Sequence, residues 1–202
     1  MANCSTSPTG ATRVPEERPY AQLQMVWPER LLGSPPHAPV PKGYLLRQFA
    51  AGDAEAYLAL MVKAGFKSWD HEQIEKVLPS VLPGGWFLIE QAATGRLVAT
   101  AMARHRPIEG HPNGGELSWV GADPEHKGKR LGMAVCAAVV QRFLDAGYRR
   151  IYLLTDDHRL AAIRVYLSLG FEPFFFRDDM QERWRKVCEQ IHWPALSSST
   201  GA

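Results

Sequence analysis

The stretch LGMAVCAAVVQRFLDAG, residues 131–147, constrains the fold more than any other. Its apolar residues do not form one stripe. They cover most of the circumference of a helix about four turns long. Such a helix must be covered on most sides, so it has to lie inside a layered domain. At 202 residues the chain is long enough for one full core and too short for two comfortable ones. Its 46% hydrophobic and 22% charged residues are those of an ordinary globular chain.

Regular elements flank that helix on both sides. From Gly43, YLLRQF reads as a short strand. GDAEAYLALMVKAG follows as a helix with Asp53 as N-cap and with Ala54, Tyr57, Leu58 and Met61 on one face. DHEQIEKVLPSVL is a second helix, ended or kinked near Pro79. GWFLIEQ, the turn ATG and RLVATAMARH make a hairpin, and ELSWVGA is the strand after the loop RPIEGHPNGG. Past the buried helix come the strand RRIYLLTDD, the helix HRLAAIRVYLSLG closed by Gly170, and the strand FEPFFF. Helices interrupting a partly antiparallel sheet predict an α+β layout rather than a doubly wound one.

The ends differ from the middle. Residues 1–42 hold eight of the fifteen prolines and read as a partly flexible arm, with LQMVW as a short extended piece against the domain. The domain proper is expected at 43–176, a C-terminal helix at 177–193 and a flexible tail at 194–202. Trp184, Val187 and Ile191 form one apolar stripe on that helix, for packing on its own domain or for a homodimer contact.

A formal net charge of +2 gives no push toward nucleic acid or an anionic membrane. Cys4, Cys136 and Cys188 are widely spaced and odd in number, so they make neither a disulfide framework nor a metal set. The N-terminus lacks a signal-peptide core and no stretch is long enough to span a bilayer; a cytoplasmic protein is expected. No metal is expected, since no histidines pair at i, i+4 spacing beside carboxylates.

The loop DPEHKGKRLG, residues 123–132, joins a strand to the N-terminus of the buried helix. Unpaired amides and the positive end of the helix dipole face outward there. Gly128 and Gly132 permit close backbone approach, and Lys127, Lys129 and Arg130 add charge. The Gly-Lys-Ser/Thr of a Walker loop and the three glycines of a dinucleotide fingerprint are both absent. On spacing alone, a phosphate site and a basic surface turn both fit. A nucleic-acid patch fits poorly, because the charge run is short and has no interleaved aromatics.

ELSWVGADPEHKGKRLGMAV resembles the acetyl-CoA-binding motif of the GNAT N-acetyltransferase superfamily: a strand, a proline, then Arg/Gln-x-x-Gly-x-Gly/Ala opening a helix. RRIYLLTDDHRLAAIRVYLSLGFEPF resembles that family's closing segment, with Ala162, Tyr166, Gly170 and Phe171 on its Ala-x-x-x-Tyr-x-x-x-Gly-Phe positions. The resemblance implies a mixed, mostly antiparallel central sheet with helices on both faces and a splayed strand pair. It implies that Val120, Gly121 and Ala122 pair with the pantetheine of acetyl-CoA, and that amides from Lys127 through Gly128, Lys129, Arg130 and Leu131 to Gly132 hold the pyrophosphate. Lys127 replaces the usual Arg/Gln. Arg130 stands where the family has glycine, and a helical φ with an outward side chain is expected for it.

The function so implied is direct acetyl transfer from the thioester to an amine of a small molecule, peptide N-terminus or lysine. By the same resemblance Tyr166 is the acid that protonates the departing thiolate. Glu116, an unusual residue for a central strand, is the candidate base. His105, His111 and Asp156 are alternatives for that role. Trp69, Trp86 and Trp119 are core candidates, with Trp69 also placed to line the acceptor pocket. Cys136, inside the buried helix, reads as inert. The competing reading is a catalytically silent CoA-binding sensor or interaction module of the same fold.

Overall fold

The computed structural model describes residues 21–194. The first 20 residues of the arm, and all but the start of the tail, lie outside the described residues. One seven-stranded sheet carries the fold. Its strands are β1 (Leu23–Val26), β2 (Tyr44–Gln48), β3 (Val81–Gln91), β4 (Leu97–His105), β5 (Gly115–Ala122), β6 (Ile151–Thr155) and β7 (Glu172–Phe174). They lie in the order β2-β3-β4-β5-β6-β1-β7, antiparallel throughout except for the parallel pair β5–β6. The helices are α1 (Ala54–Lys63), α2 (His71–Val77), α3 (Leu131–Asp145), α4 (Leu160–Leu169) and α5 (Met180–Gln190).

The apolar stretch that opened the sequence analysis is α3, and its burial organises the larger core. Val135, Cys136, Val139, Val140 and Phe143 are fully buried. Ala99, Ala101 and Ala103, alternating along β4, belong to the same core, and their small side chains let α3 lie close to the sheet. Residues of α4 and α5, with Ile191 just past the end of α5, complete this face: Ile163, Tyr166, Leu167, Trp184 and Val187. The opposite face is covered by α1 and α2, with Tyr57, Leu60, Met61, Trp69 and Ile74 packed on Trp86, Leu88 and Met102. The mixed α+β fold with helices on both faces is therefore as expected.

Local signals behave unevenly. Asp70 caps α2 by accepting from the Gln73 amide at 2.8 Å, and Gly170 ends α4 at φ 113°. Asp53 precedes α1 but does not cap it. Its carboxylate accepts instead from the Ala50 amide and from both ends of the Arg47 guanidinium.

One boundary needs correction, and one open alternative is decided. The domain expected to begin at 43 includes Leu23–Val26, which is not an extended piece on its surface but a strand inside the sheet, between β6 and β7. Leu23 and Met25 are fully buried, and Trp27 packs edge-on against Phe171 at 5.3 Å. The C-terminal stripe of Trp184, Val187 and Ile191 is buried in the chain's own core, so it is not a dimer surface.

If β1 is a structural strand, Trp27→Ala should lower unfolding free energy by about 3–5 kcal/mol, the range for truncating a buried tryptophan. Urea unfolding followed by circular dichroism measures this; a loss under about 1 kcal/mol would mean that the segment is an appendage.

Candidate active site

The parallel pair β5–β6 is joined only at Gly115↔Ile151 and Glu116↔Tyr152, although both strands run on. The cause lies in β5. Thr100 pairs with Gly121 and Met102 with Ser118, so Ala101 alone faces both Trp119 and Val120. This one-residue bulge is completed by Trp119 at φ 53°, a left-handed conformation that bends β5 away from β6. The splayed pair is thus present. Past the parting point, the Ser118 hydroxyl, the Trp119 indole N–H and the Thr155 hydroxyl are buried with no protein partner. Groups of that kind suit a chain of amides lying between the strands.

The departing end of β5 runs straight into the basic loop. Asp123, 1% exposed, anchors it. One carboxylate oxygen accepts from the Glu125 amide at 3.0 Å, starting the 3-10 turn Pro124–His126. The other accepts from Lys63 Nζ at 2.9 Å and Arg96 Nη2 at 3.2 Å. Burial works to raise its pKa, but the Lys63 ammonium and the Glu125 amide hold it below the ordinary value. His126 Nδ1 bonds the Tyr44 hydroxyl at 2.8 Å, fastening the turn to β2.

Gly128 then lies at φ 80° and Arg130 at φ 57°, ψ 22°, with α3 beginning at Leu131. Among the described residues, no hydrogen bond takes up the amides from Gly128 to Gly132. Left-handed residues on either side of Lys129 turn these amides into a concave nest at a helix N-terminus, an arrangement that binds anions. A Cβ on Gly132 would meet only Val165 Cγ2, at 3.9 Å. Nothing in the protein therefore demands a glycine in this first helical turn, where it costs about 1 kcal/mol; close approach of a ligand would explain it. The residues fit a pyrophosphate.

Arg130 corrects the expectation of a helical φ. Its conformation is the glycine-like one, and its side chain is exposed. The loop must close between the anchored Asp123 and a helix already docked in the core, and this geometry overrides the side chain's preference.

Glu116 sits at the last paired position before the strands part, and is 4% exposed. Its Oε1 accepts from Arg106 Nη1 at 3.0 Å, and Arg104 Nη1 stands 3.5 Å from Oε2. Burial raises its pKa and outweighs the lowering by Arg106 and Arg104. Tyr166, 3% exposed on α4, faces the core on the α3 side of the sheet, while alternation along β5 directs Glu116 to the opposite side from Leu117. Burial, then the Cys136 thiol, push the Tyr166 phenol up, so it is protonated at neutral pH.

The alternatives to Glu116 are otherwise engaged. His111 is fully buried, accepts from Arg150 Nε at 2.9 Å on Nδ1, bonds Gln24 with Nε2 at 3.0 Å and stacks on Tyr152. Burial and Arg150 push its pKa down to about 4, so it is neutral. His105 bonds the Tyr148 hydroxyl at the far end of β4, and Asp156 accepts from Gln22. Trp69 and Trp86 are core residues, and Trp69 packs edge-on to Trp119 at 4.7 Å. The Cys136 thiol is buried and pushed upward by that burial.

Three features escape sequence reasoning. Trp119 carries the bulge without a glycine to announce it. Lys63 and Arg96 serve the loop from distant elements. Arg159, at the start of α4, donates through Nη2 to the Val120 carbonyl at 3.1 Å.

The parallel strand pair thus parts and leads into an anion nest at the N-terminus of a buried helix. Residues 54–171 match the acetyltransferase (GNAT) family, and the chain belongs to it. A mycothiol acetyltransferase from Thermobispora bispora is 37% identical over 153 residues, covering 70% of this chain and 51% of that protein. One from Arthrobacter sp. is 32% identical over 164 residues, covering 75% and 50%. The chain spans about half the length of these curated relatives. Among solved structures, a GCN5-related N-acetyltransferase from Sphaerobacter thermophilus superimposes with a TM-score of 0.60 at 23% identity, covering 77% of this chain and 50% of the other. AAC(6')-Iy in complex with the bisubstrate analog CoA-S-monomethyl-acetylneamine gives 0.52 at 19% identity, covering 67% and 97%. These two likenesses concern the fold.

Relief of the left-handed strain should make Arg130→Gly more stable by roughly 0.5–1 kcal/mol, the strain removed less the entropy that glycine adds. The same variant should bind acetyl-CoA modestly more weakly, through loss of one cation at the nest. Denaturant unfolding and calorimetric titration measure the two effects; a destabilised variant would contradict the strain.

Proposed function

We propose that this chain transfers an acetyl group from acetyl-CoA directly to an amine. The observation that carries this reading is continuity: the splay at Glu116, the strand end Val120–Ala122 and the amides of Gly128–Gly132 form one uninterrupted run of β5, loop and α3. The backbone of Val120, Gly121 and Ala122 would pair with the pantetheine arm and polarise the thioester carbonyl. The nest, with Lys127, Lys129 and Arg130 at its rim, would hold the pyrophosphate. The co-substrate supplies an activated acetyl group.

The remaining chemistry is proton traffic. Glu116 takes a proton from the amine, directly or through water, so that its nitrogen lone pair attacks the carbonyl carbon. As the C–S bond breaks, the Tyr166 phenol gives its proton to the thiolate sulfur and is later reprotonated from solvent. A phenol kept protonated by burial and a carboxylate at the vertex of the splay, on the two faces of the sheet, support this division of labour. The relatives' names make an acceptor of the mycothiol type the first amine to try.

The test is release of CoA thiol across a panel of amines. Acetyl-CoA binding with no turnover on any of them would favour a silent binding module. Tyr166→Phe should lower kcat about 100-fold while leaving the acetyl-CoA dissociation constant within twofold; unchanged turnover would discard the acid. A raised carboxyl pKa means that Glu116 loses its base form while the pH is still above the usual carboxylate range of about 4.3. The acid limb of the kcat/KM profile should therefore lie above that range, and should vanish in Glu116→Gln. A limb that persists in that variant belongs to another group.

A further inference from the structure

Arg159 is the residue before α4, where a side chain often caps the helix, yet it makes no cap bond. It reaches across the splay instead. Its Nη2 donates to the Val120 carbonyl at 3.1 Å, and its guanidinium carbon stands 4.8 Å above the Phe66 ring, in the α1–α2 connection. One partly buried side chain thus ties together the β6–α4 junction, the unpaired part of β5, and the connection that covers the bulge through Phe66 and Trp119. No ladder joins β5 to β6 at this level.

We propose that Arg159 is an internal stand-in for the cofactor's amide arm: it holds the splay closed on Val120, and acetyl-CoA binds by displacing it. This rests on the reading above that Val120–Ala122 receives the pantetheine. The physical argument is direct competition. An extended chain of amides laid along β5 needs the carbonyl that the guanidinium occupies and the gap that it spans. Phe66 holds the guanidinium by its ring face, a contact that favours the closed form without touching the carbonyl. On swinging away, Arg159 keeps its charge near the helix face that carries Tyr166, seven residues and two turns further on. The same cation already works against the rise in that phenol's pKa. The intrinsic affinity of the cleft is then multiplied by the fraction of molecules that are open, so weakening the closed form tightens binding.

Titrations of the full chain with three probes test this: acetyl-CoA, acetyl-pantetheine, and adenosine 3′,5′-bisphosphate, which carries phosphates but no amide arm. Arg159→Gln should tighten acetyl-CoA and acetyl-pantetheine about tenfold and leave the bisphosphate within twofold. Phe66→Leu keeps the arginine but removes its ring support; it should shift the same two probes in the same direction, by less. Should the glutamine variant fail to fold, Phe66→Leu decides alone. Unchanged or weakened acetyl-pantetheine affinity, with acetyl-CoA still bound by the wild type, overturns the stand-in. A change confined to the bisphosphate makes Arg159 a phosphate ligand and overturns it equally. Failure of the wild type to bind acetyl-CoA or the bisphosphate at all would instead remove the reading of the site.

Discussion

One extra residue in β5 is the constraint on which the rest of the site depends. Without the bulge at Trp119, β5 and β6 would continue their parallel ladder past Glu116, and the backbone of Val120 to Ala122 would be consumed by β6. A left-handed tryptophan costs about 1–2 kcal/mol. The packing of its ring between Phe66, at 5.7 Å, and Trp69, at 4.7 Å, offsets that cost. The aromatic cluster under α1 and α2 thus has a consequence beyond filling space: it holds a backbone distortion that exposes strand edge in the middle of a sheet.

The second constraint is electrostatic and sits one turn of chain further on. A loop that offers bare amides to an anion has to be rigid, and it gains no rigidity from internal ladders. Asp123 supplies it by accepting from the backbone ahead of it and from two cations that arrive from α1 and the β3–β4 turn. The buried carboxylate and Glu125, whose Oε2 accepts from Lys63 at 3.4 Å and from Arg96 at 3.2 Å, together neutralise both cations below the loop. The uncommitted charge of Lys127 and Arg130 therefore stays at the rim, while Lys129 leans over the Tyr44 ring at 5.6 Å. Glu116 shows the reverse balance: burial lifts its pKa by more than its two arginines lower it.

Much of this was legible from residue order. The buried helix, the hairpin, the Gly170 cap and the basic loop announce themselves through periodicity and turn chemistry, and two spaced motifs tied them to one family. What stayed hidden has a common character. β1 is four residues with an extended pattern, and nothing local says that its partners are β6 and β7. Trp119 and Arg130 hold conformations that their side chains disfavour, imposed by closure of the surrounding structure. Arg159 reads as an ordinary residue at a helix start until its reach to Val120 is visible. Local preference is readable; the places where tertiary geometry overrules it are not.

The position of β1 also bears on how the sheet is closed. β1, second from the edge of the sheet, lies more than 120 residues before either segment it pairs with, residues 152–155 and 172–174. Leu23, Met25 and Trp27 therefore stay in an unpaired, apolar segment until both of those partners are in place. Contacts closed over so long a loop are slow to form. Until β1 closes that loop, β6 presents a bare strand edge of the kind that invites pairing with another chain.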